Sequence, residues 1–145
     1  MIASRRAETI WEGTLPAGQG SVSGDSGAIG SLPVTWAART ESPDGKTSPE
    51  ELAAAAHSSC FSMALALRLG EHGARPERLS VAATVTLDEV DGVPTITTSK
   101  LEVRVRADGI DADAFQSVVA EAAQLCPVSR LFAGAQISVS AELEK

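Results

Sequence analysis

The sequence predicts an α+β fold, and three observations carry that expectation. Apolar and polar residues alternate over 79–88 and pick up again over 95–106, with the turn pair Asp91-Gly92 between them, the pattern of an antiparallel hairpin. Residues 48–69 open on a helix start signal and stay apolar almost throughout. A second amphipathic stretch at 112–125 leads to another alternating segment at 136–143. Taken in order the elements read βββ-α-ββ-α-β, antiparallel sheets with two main helices.

Each element has its own warrant. Residues 5–14 and 20–23 read as short strands around the turn Pro16-Ala17-Gly18, and Gly24-Asp25-Ser26-Gly27 makes a second turn. Residues 32–40 put Val34, Trp36 and Ala38 on one face, as a half-buried strand does, before the loop at Pro43-Asp44-Gly45. Ser48 suits an N-cap, Pro49 the first helical position, and Glu51 completes S-x-x-E. This helix runs from about Pro49 to about Leu69, ended by Gly70 and Gly73, and its apolar middle asks to be buried on most sides. In the hairpin, Leu79, Val81, Ala83, Val85 and Leu87 share a face, as do Leu101, Val103 and Val105. Ile96 is out of phase with those three, so a bulge is expected near Thr98 or Ser99. Asp111 caps a helix over 112–125 with Phe115, Val118, Val119 and Ala122 inward. Pro127 opens a short helix to about Phe132, and Ile137, Val139, Ala141 and Leu143 line the last strand.

Composition narrows the function. A chain of 145 residues with 43% hydrophobic content builds one core, and no repeat or linker divides residues 1–145, so a single domain is expected. With only 3% aromatics, Ala, Val and Leu must fill that core. A net charge of −7 repels phosphate backbones, so a nucleic-acid partner is not expected. Arg5 and Arg6 have no apolar stretch behind them, unlike a signal peptide, and Leu52–Leu69 is interrupted by His57, Ser58, Ser59, Ser62 and Arg68, unlike a membrane span. The expected location is therefore the cytoplasm, a reducing compartment where two cysteines are redox-active, catalytic or inert rather than a permanent staple.

Those cysteines are the first candidates for chemistry. Cys60 lies mid-helix in AHSSCFSM and Cys126 precedes Pro127 at a helix start. By position alone each is as readily a buried small hydrophobe as a reactive thiol. A peroxide-attacking cysteine must be a thiolate and needs a nearby cation, because burial alone works against it. Arg39 ends the segment Thr35-Trp36-Ala37-Ala38-Arg39, where a solvated strand-end charge is the simpler reading. Glu51 suits a cap, whereas Glu50 is free to orient an arginine. Ten helical residues, a rise of about 15 Å, separate Glu50 from Cys60, so a cluster of Glu50, Arg39 and Cys60 requires two copies of the helix packed antiparallel. A homodimer with the site at its interface is expected. His57 lies one turn before Cys60 and reads as a base, a zinc ligand with the two cysteines, or, better, a core or interface histidine; the three lack regular zinc-finger spacing. His72 reads as a helix-end residue.

The sequence resembles the OsmC/Ohr family of bacterial thiol peroxidases over essentially its whole length. The resemblance rests on Trp11-Glu12-Gly13, Arg39-Thr40, SPEELAAAAHSSCFSMALAL at 48–67, DEVDG at 88–92, GID at 109–111 and CPVSR at 126–130. It implies the OsmC-like fold as an intertwined homodimer with two interface sites, and a chemistry using no metal, haem or flavin. It also implies that Cys60 is the peroxidatic cysteine and Cys126 the resolving one. Arg39 then holds the thiolate and Glu50 pairs with that arginine. The hydroperoxide-resistance branch carries its arginine in the loop before the second strand. Leu15–Gly20 has none, so the OsmC branch fits better. The implied substrate is an organic hydroperoxide, favoured by apolar walls from Phe61, Met63 and Phe132, and the implied reductant is a dithiol of lipoyl type. The rival readings are a binding or scaffold module with inert cysteines, and a zinc site at His57, Cys60 and Cys126.

Overall fold

Two three-stranded sheets and four helices appear in the computed structural model, which describes all 145 residues. The elements run β1 (Ala7–Glu12), β2 (Gln19–Gly24), β3 (Leu32–Val34), α1 (Trp36–Thr40), α2 (Pro49–Glu71), β4 (Arg75–Val90), β5 (Val93–Asp108), α3 (Ala112–Leu125), α4 (Pro127–Leu131) and β6 (Gln136–Glu144). The chain divides into two units, Met1–Leu52 and Ala53–Lys145. The α+β class read from the sequence is the one observed.

The first unit is an antiparallel sheet in the order β1-β2-β3. Gly20 is required where the strands crowd: a Cβ there would lie 2.6 Å from Val34 Cγ2 and 3.0 Å from Trp11 Cε3. The strand expected over 32–40 stops at Val34. Thr35 then caps a single turn of helix, its hydroxyl accepting from the Ala38 N–H at 3.0 Å. The spacing of Val34, Trp36 and Ala38 is thus a strand end running into a helical turn, and Arg39 sits in the last turn of α1 rather than at a strand end.

Helix α2 starts as its sequence dictates. The Ser48 hydroxyl accepts from the Glu51 N–H at 3.2 Å, while the Glu51 carboxylate accepts from the Thr47 hydroxyl at 2.6 Å. It runs through Gly70 and ends two residues later than expected. Gly73 takes φ +79°, its N–H donates to Gly70 O at 3.0 Å, and the Ala74 N–H donates to Leu69 O at 2.9 Å, the paired bonds of a Schellman cap.

In the second unit, one row of α2 (His57, Phe61, Leu65 and Leu69) is fully buried. The expectation of burial on most sides fails for the isolated chain: Met63 is 72% exposed and Leu67 59% exposed. Four-residue spacing covers one stripe, and this unit offers the other face no partner.

Asp91 and Gly92 both adopt positive φ, 52° and 78°, which matches the twist of the β4–β5 hairpin. The register steps from Thr86↔Thr98 to Leu87↔Ile96, leaving Thr97 as the extra residue one place from the expected bulge. β5 is the central strand, and Ser99, Leu101, Val103 and Val105 form its buried face. β6 pairs parallel to β5, from Thr98↔Gln136 to Arg106↔Glu144, a departure from the antiparallel sheets expected. Alternation reports which face is buried and not strand direction; the α3–α4 crossover is what permits parallel pairing. Phe115, Val118, Val119 and Ala122 of α3 are buried in the same cluster as the β5 face, as their spacing predicts. The Asp111 carboxylate caps α3, accepting from the Ala114 N–H at 2.8 Å. Asp111→Ala should therefore cost about 1 kcal/mol and lower the thermal midpoint by a few degrees in a circular-dichroism melt.

Candidate active site

In the second unit α2 carries Cys60 and the α3–α4 junction carries Cys126, and both are free thiols. Cys126 is fully buried. Its N–H donates to Ala122 O at 3.0 Å, closing α3, and its carbonyl accepts from the Arg130 N–H at 3.1 Å, opening α4. Pro127 fits the first position of α4, where no N–H is required. Cys60 packs against the buried cluster that contains Cys126, close enough to Cys126 and Val128 for both to act on its ionisation.

Electrostatics at Cys60 oppose ionisation in this unit. Burial raises its pKa above the ordinary thiol value of 9.0 and is the largest influence; the Val128 N–H lowers it, and the neighbouring Cys126 thiol raises it again. Cys60 opens on an apolar hollow of about 440 Å³ lined by Met63, Ala64, Leu67, Arg68, Leu125 and Pro127. Of the three apolar walls expected from sequence, only Met63 lines it. Phe61 is turned into the core, and Phe132 lies edge-on to His57 with ring centroids 5.2 Å apart.

Arg39 and Glu50 meet in the first unit. Arg39 Nε donates to both Glu50 carboxylate oxygens at 3.1 Å, and one terminal nitrogen donates to Oε1 at 2.8 Å. Glu50 is buried, while Arg39 keeps part of its guanidinium open and lies 5.9 Å from the Trp36 ring centroid. Arg39 borders a hollow of about 340 Å³ walled by Trp11, Val22, Val34, Trp36 and Leu52. Glu50 thereby fixes the direction of the Arg39 guanidinium, and the Arg39 side chain stays 30% exposed.

His57 is a fully buried core histidine. Nδ1 shares a hydrogen bond with Ser99 Oγ at 2.6 Å and Nε2 one with Ser129 Oγ at 2.8 Å. With both nitrogens engaged, it has no lone pair to give a zinc ion, and no three His, Cys, Asp or Glu side chains gather to hold a metal. His72 ends α2 as expected and lies 3.1 Å from Glu121. Sequence reading missed Ser99 and Ser129. Ser99 had a signal, a polar residue in phase with inward-facing Leu101, Val103 and Val105.

Burial lowers the His57 pKa from its ordinary 6.5. The unfolded chain then binds the His57 proton at a higher pH than the folded one. The stability tied to neutral His57 is complete above pH 6.5 and is lost as pH falls below that value toward the depressed folded pKa. Urea midpoints from pH 7.5 to 5 should therefore fall on the acid side, and the fall should be smaller in His57→Gln.

The pattern of the OsmC-like protein family matches residues 42–142. The chain is 40% identical over 144 residues to peroxiredoxin OsmC of Escherichia coli strain K12, covering 99% of each. Among solved structures it resembles an OsmC-like protein of Mycoplasma pneumoniae at TM-score 0.77 and 12% identity, covering all of both chains. It also resembles an organic hydroperoxide resistance protein OsmC of Legionella pneumophila at TM-score 0.74 and 20% identity, covering 100% of this chain and 99% of that one. With the family pattern spanning both cysteines and Glu50, and one relative matched from end to end, this chain belongs to the OsmC family.

Proposed function

We propose that this protein is a thiol-dependent peroxidase of oxidative-stress defence that reduces organic hydroperoxides, and inorganic peroxide more weakly, through Cys60 and Cys126. The observation that carries the reading is that two free thiols far apart in sequence are brought together in one packed cluster, one of them facing an apolar hollow. The Cys60 thiolate attacks the terminal peroxide oxygen; the O–O bond breaks, the alkoxide leaves and takes a proton as the alcohol, and the sulfur is oxidised to sulfenic acid. The Cys126 thiol then attacks that sulfur. An S–S bond forms, the S–O bond breaks, and oxygen departs as water. A small dithiol, of lipoyl type, restores both thiols by exchange and leaves oxidised. A reducing cytoplasm suits a pair that must be returned to thiols.

Arg39 and Glu50 complete the site across a homodimer in this reading. Cys60 needs a cation, because burial raises its pKa. Arg39, held in place by Glu50, keeps part of its guanidinium exposed to meet such a thiolate. The uncovered face of α2, with Met63 and Leu67, asks for a second copy. In such a dimer each unit of the chain supplies half a site, so residues 1–145 act as one functional domain.

The direct test is intact-mass analysis after one equivalent of cumene hydroperoxide. The expected product has lost two hydrogens and yields a peptide pair linked through Cys60 and Cys126. Two thiols that remain fully alkylatable in excess hydroperoxide would favour an inert module instead.

A further inference from the structure

We propose that His57 is a positioning residue for the disulfide-forming step, acting through Ser129 to hold Cys126 against Cys60; the proposal rests on the Cys60–Cys126 reading above. His57 is one turn before Cys60 on α2, so it shares that helix's rigid frame. Nε2 meets Ser129 Oγ at 2.8 Å, and Ser129 is a buried residue of α4, three places after Cys126 and one after Val128. Val128 and Cys60 pack against the same buried cluster, and Pro127 shares with Cys60 the lining of one hollow. The short segment 126–129 thus meets α2 at both ends, packed beside Cys60 at one and hydrogen-bonded to the imidazole at the other. The other ring nitrogen meets Ser99 Oγ at 2.6 Å on β5, which fixes the ring plane. The Phe132 edge closes over the ring from the far end of α4.

This matters because α4 is one turn long, and a five-residue helix has little stability of its own. The attack of Cys126 on the sulfenyl sulfur needs the two sulfurs held in contact while the oxygen leaves as water. A neutral imidazole has one donor and one acceptor, and two serine hydroxyls satisfy both, so the fastening leaves no buried polar group unpaired. His57 touches neither sulfur nor peroxide, which separates its effect from that of a residue acting on Cys60 ionisation.

Stopped-flow kinetics separates the two steps, with dimedone trapping of sulfenic acid as the second readout. Ser129→Ala should oxidise Cys60 at the parental rate and form the disulfide about tenfold more slowly, the size of one buried hydrogen bond. Dimedone adducts and irreversible over-oxidation should rise together. Ser129→Thr, which keeps the hydroxyl, should restore the rate. Ser99→Ala, which frees the other nitrogen, should lower thermal stability with at least threefold less effect on disulfide formation. If Ser129→Ala does not fold, His57→Asn and His57→Gln carry the same comparison, since Asn imitates Nδ1 and Gln imitates Nε2; only Asn should be slow. Disulfide formation at the parental rate in Ser129→Ala, or equal slowing by Ser99→Ala, overturns the proposal. Absence of any disulfide in the parent protein would instead overturn the Cys60–Cys126 reading beneath it.

Discussion

Cys60→Ser should abolish turnover, lowering kcat/KM for cumene hydroperoxide by at least about a thousandfold. A serine hydroxyl stays neutral at pH 7 and does not accept the peroxide oxygen, so nothing replaces the sulfur's change of oxidation state. The fold should survive, since Cys60 is half-buried and the row His57, Phe61, Leu65 and Leu69 carries the packing of α2. Cys126→Ser should behave differently. It should reduce one equivalent of peroxide, stall at sulfenic acid, and label with dimedone. Steady turnover by Cys60→Ser at the parental rate would end the peroxidase mechanism.

The second large effect belongs to Arg39. If Arg39 is the cation proposed for the Cys60 thiolate, Arg39→Ala should slow peroxide reduction at pH 7 on the order of a hundredfold, because burial then opposes ionisation unaided. The deficit should shrink as pH rises, since alkali supplies the thiolate that Arg39 otherwise provides; iodoacetamide alkylation across pH measures this directly. Mixed dimers test the geometry. A subunit with Cys60→Ser retains Arg39, and one with Arg39→Ala retains Cys60. If the site is completed across subunits, co-refolding the two inactive variants restores one working site per mixed dimer. If both groups act within one chain, mixing restores nothing. A parental rate in Arg39→Ala would remove Arg39 from the chemistry altogether.

Elements set by periodicity and end signals were readable from the sequence. Asp111 and the spacing of Phe115, Val118, Val119 and Ala122 defined α3, and Asp91-Gly92 defined the hairpin, because capping and positive φ are local demands. Two features were not readable. Thr35 turns the chain into α1 through a bond to Ala38 that the alternation of Val34, Trp36 and Ala38 concealed. The direction of β6 is set by a crossover, not by its own residues. At the site, the pairings Cys60 with Cys126 and Arg39 with Glu50 came from family resemblance, since neither spacing reports contact. The partners of His57 stayed hidden because Ser99 and Ser129 lie on other elements, and only folding brings three such segments to one ring.

The parallel pairing of β6 has a consequence for how the chain is born. β4 and β5 are joined by a two-residue turn and can zip together within microseconds of leaving the ribosome. The other edge of β5 has no local partner; it waits for residue 136 and beyond, after all of α3 and α4. During that interval a nascent chain presents an open strand edge beside the apolar face Leu101, Val103 and Val105, the combination that nucleates aggregation. Slow translation through the α3–α4 crossover is therefore the period of greatest exposure for this protein, and the time when a chaperone would be of most use to it.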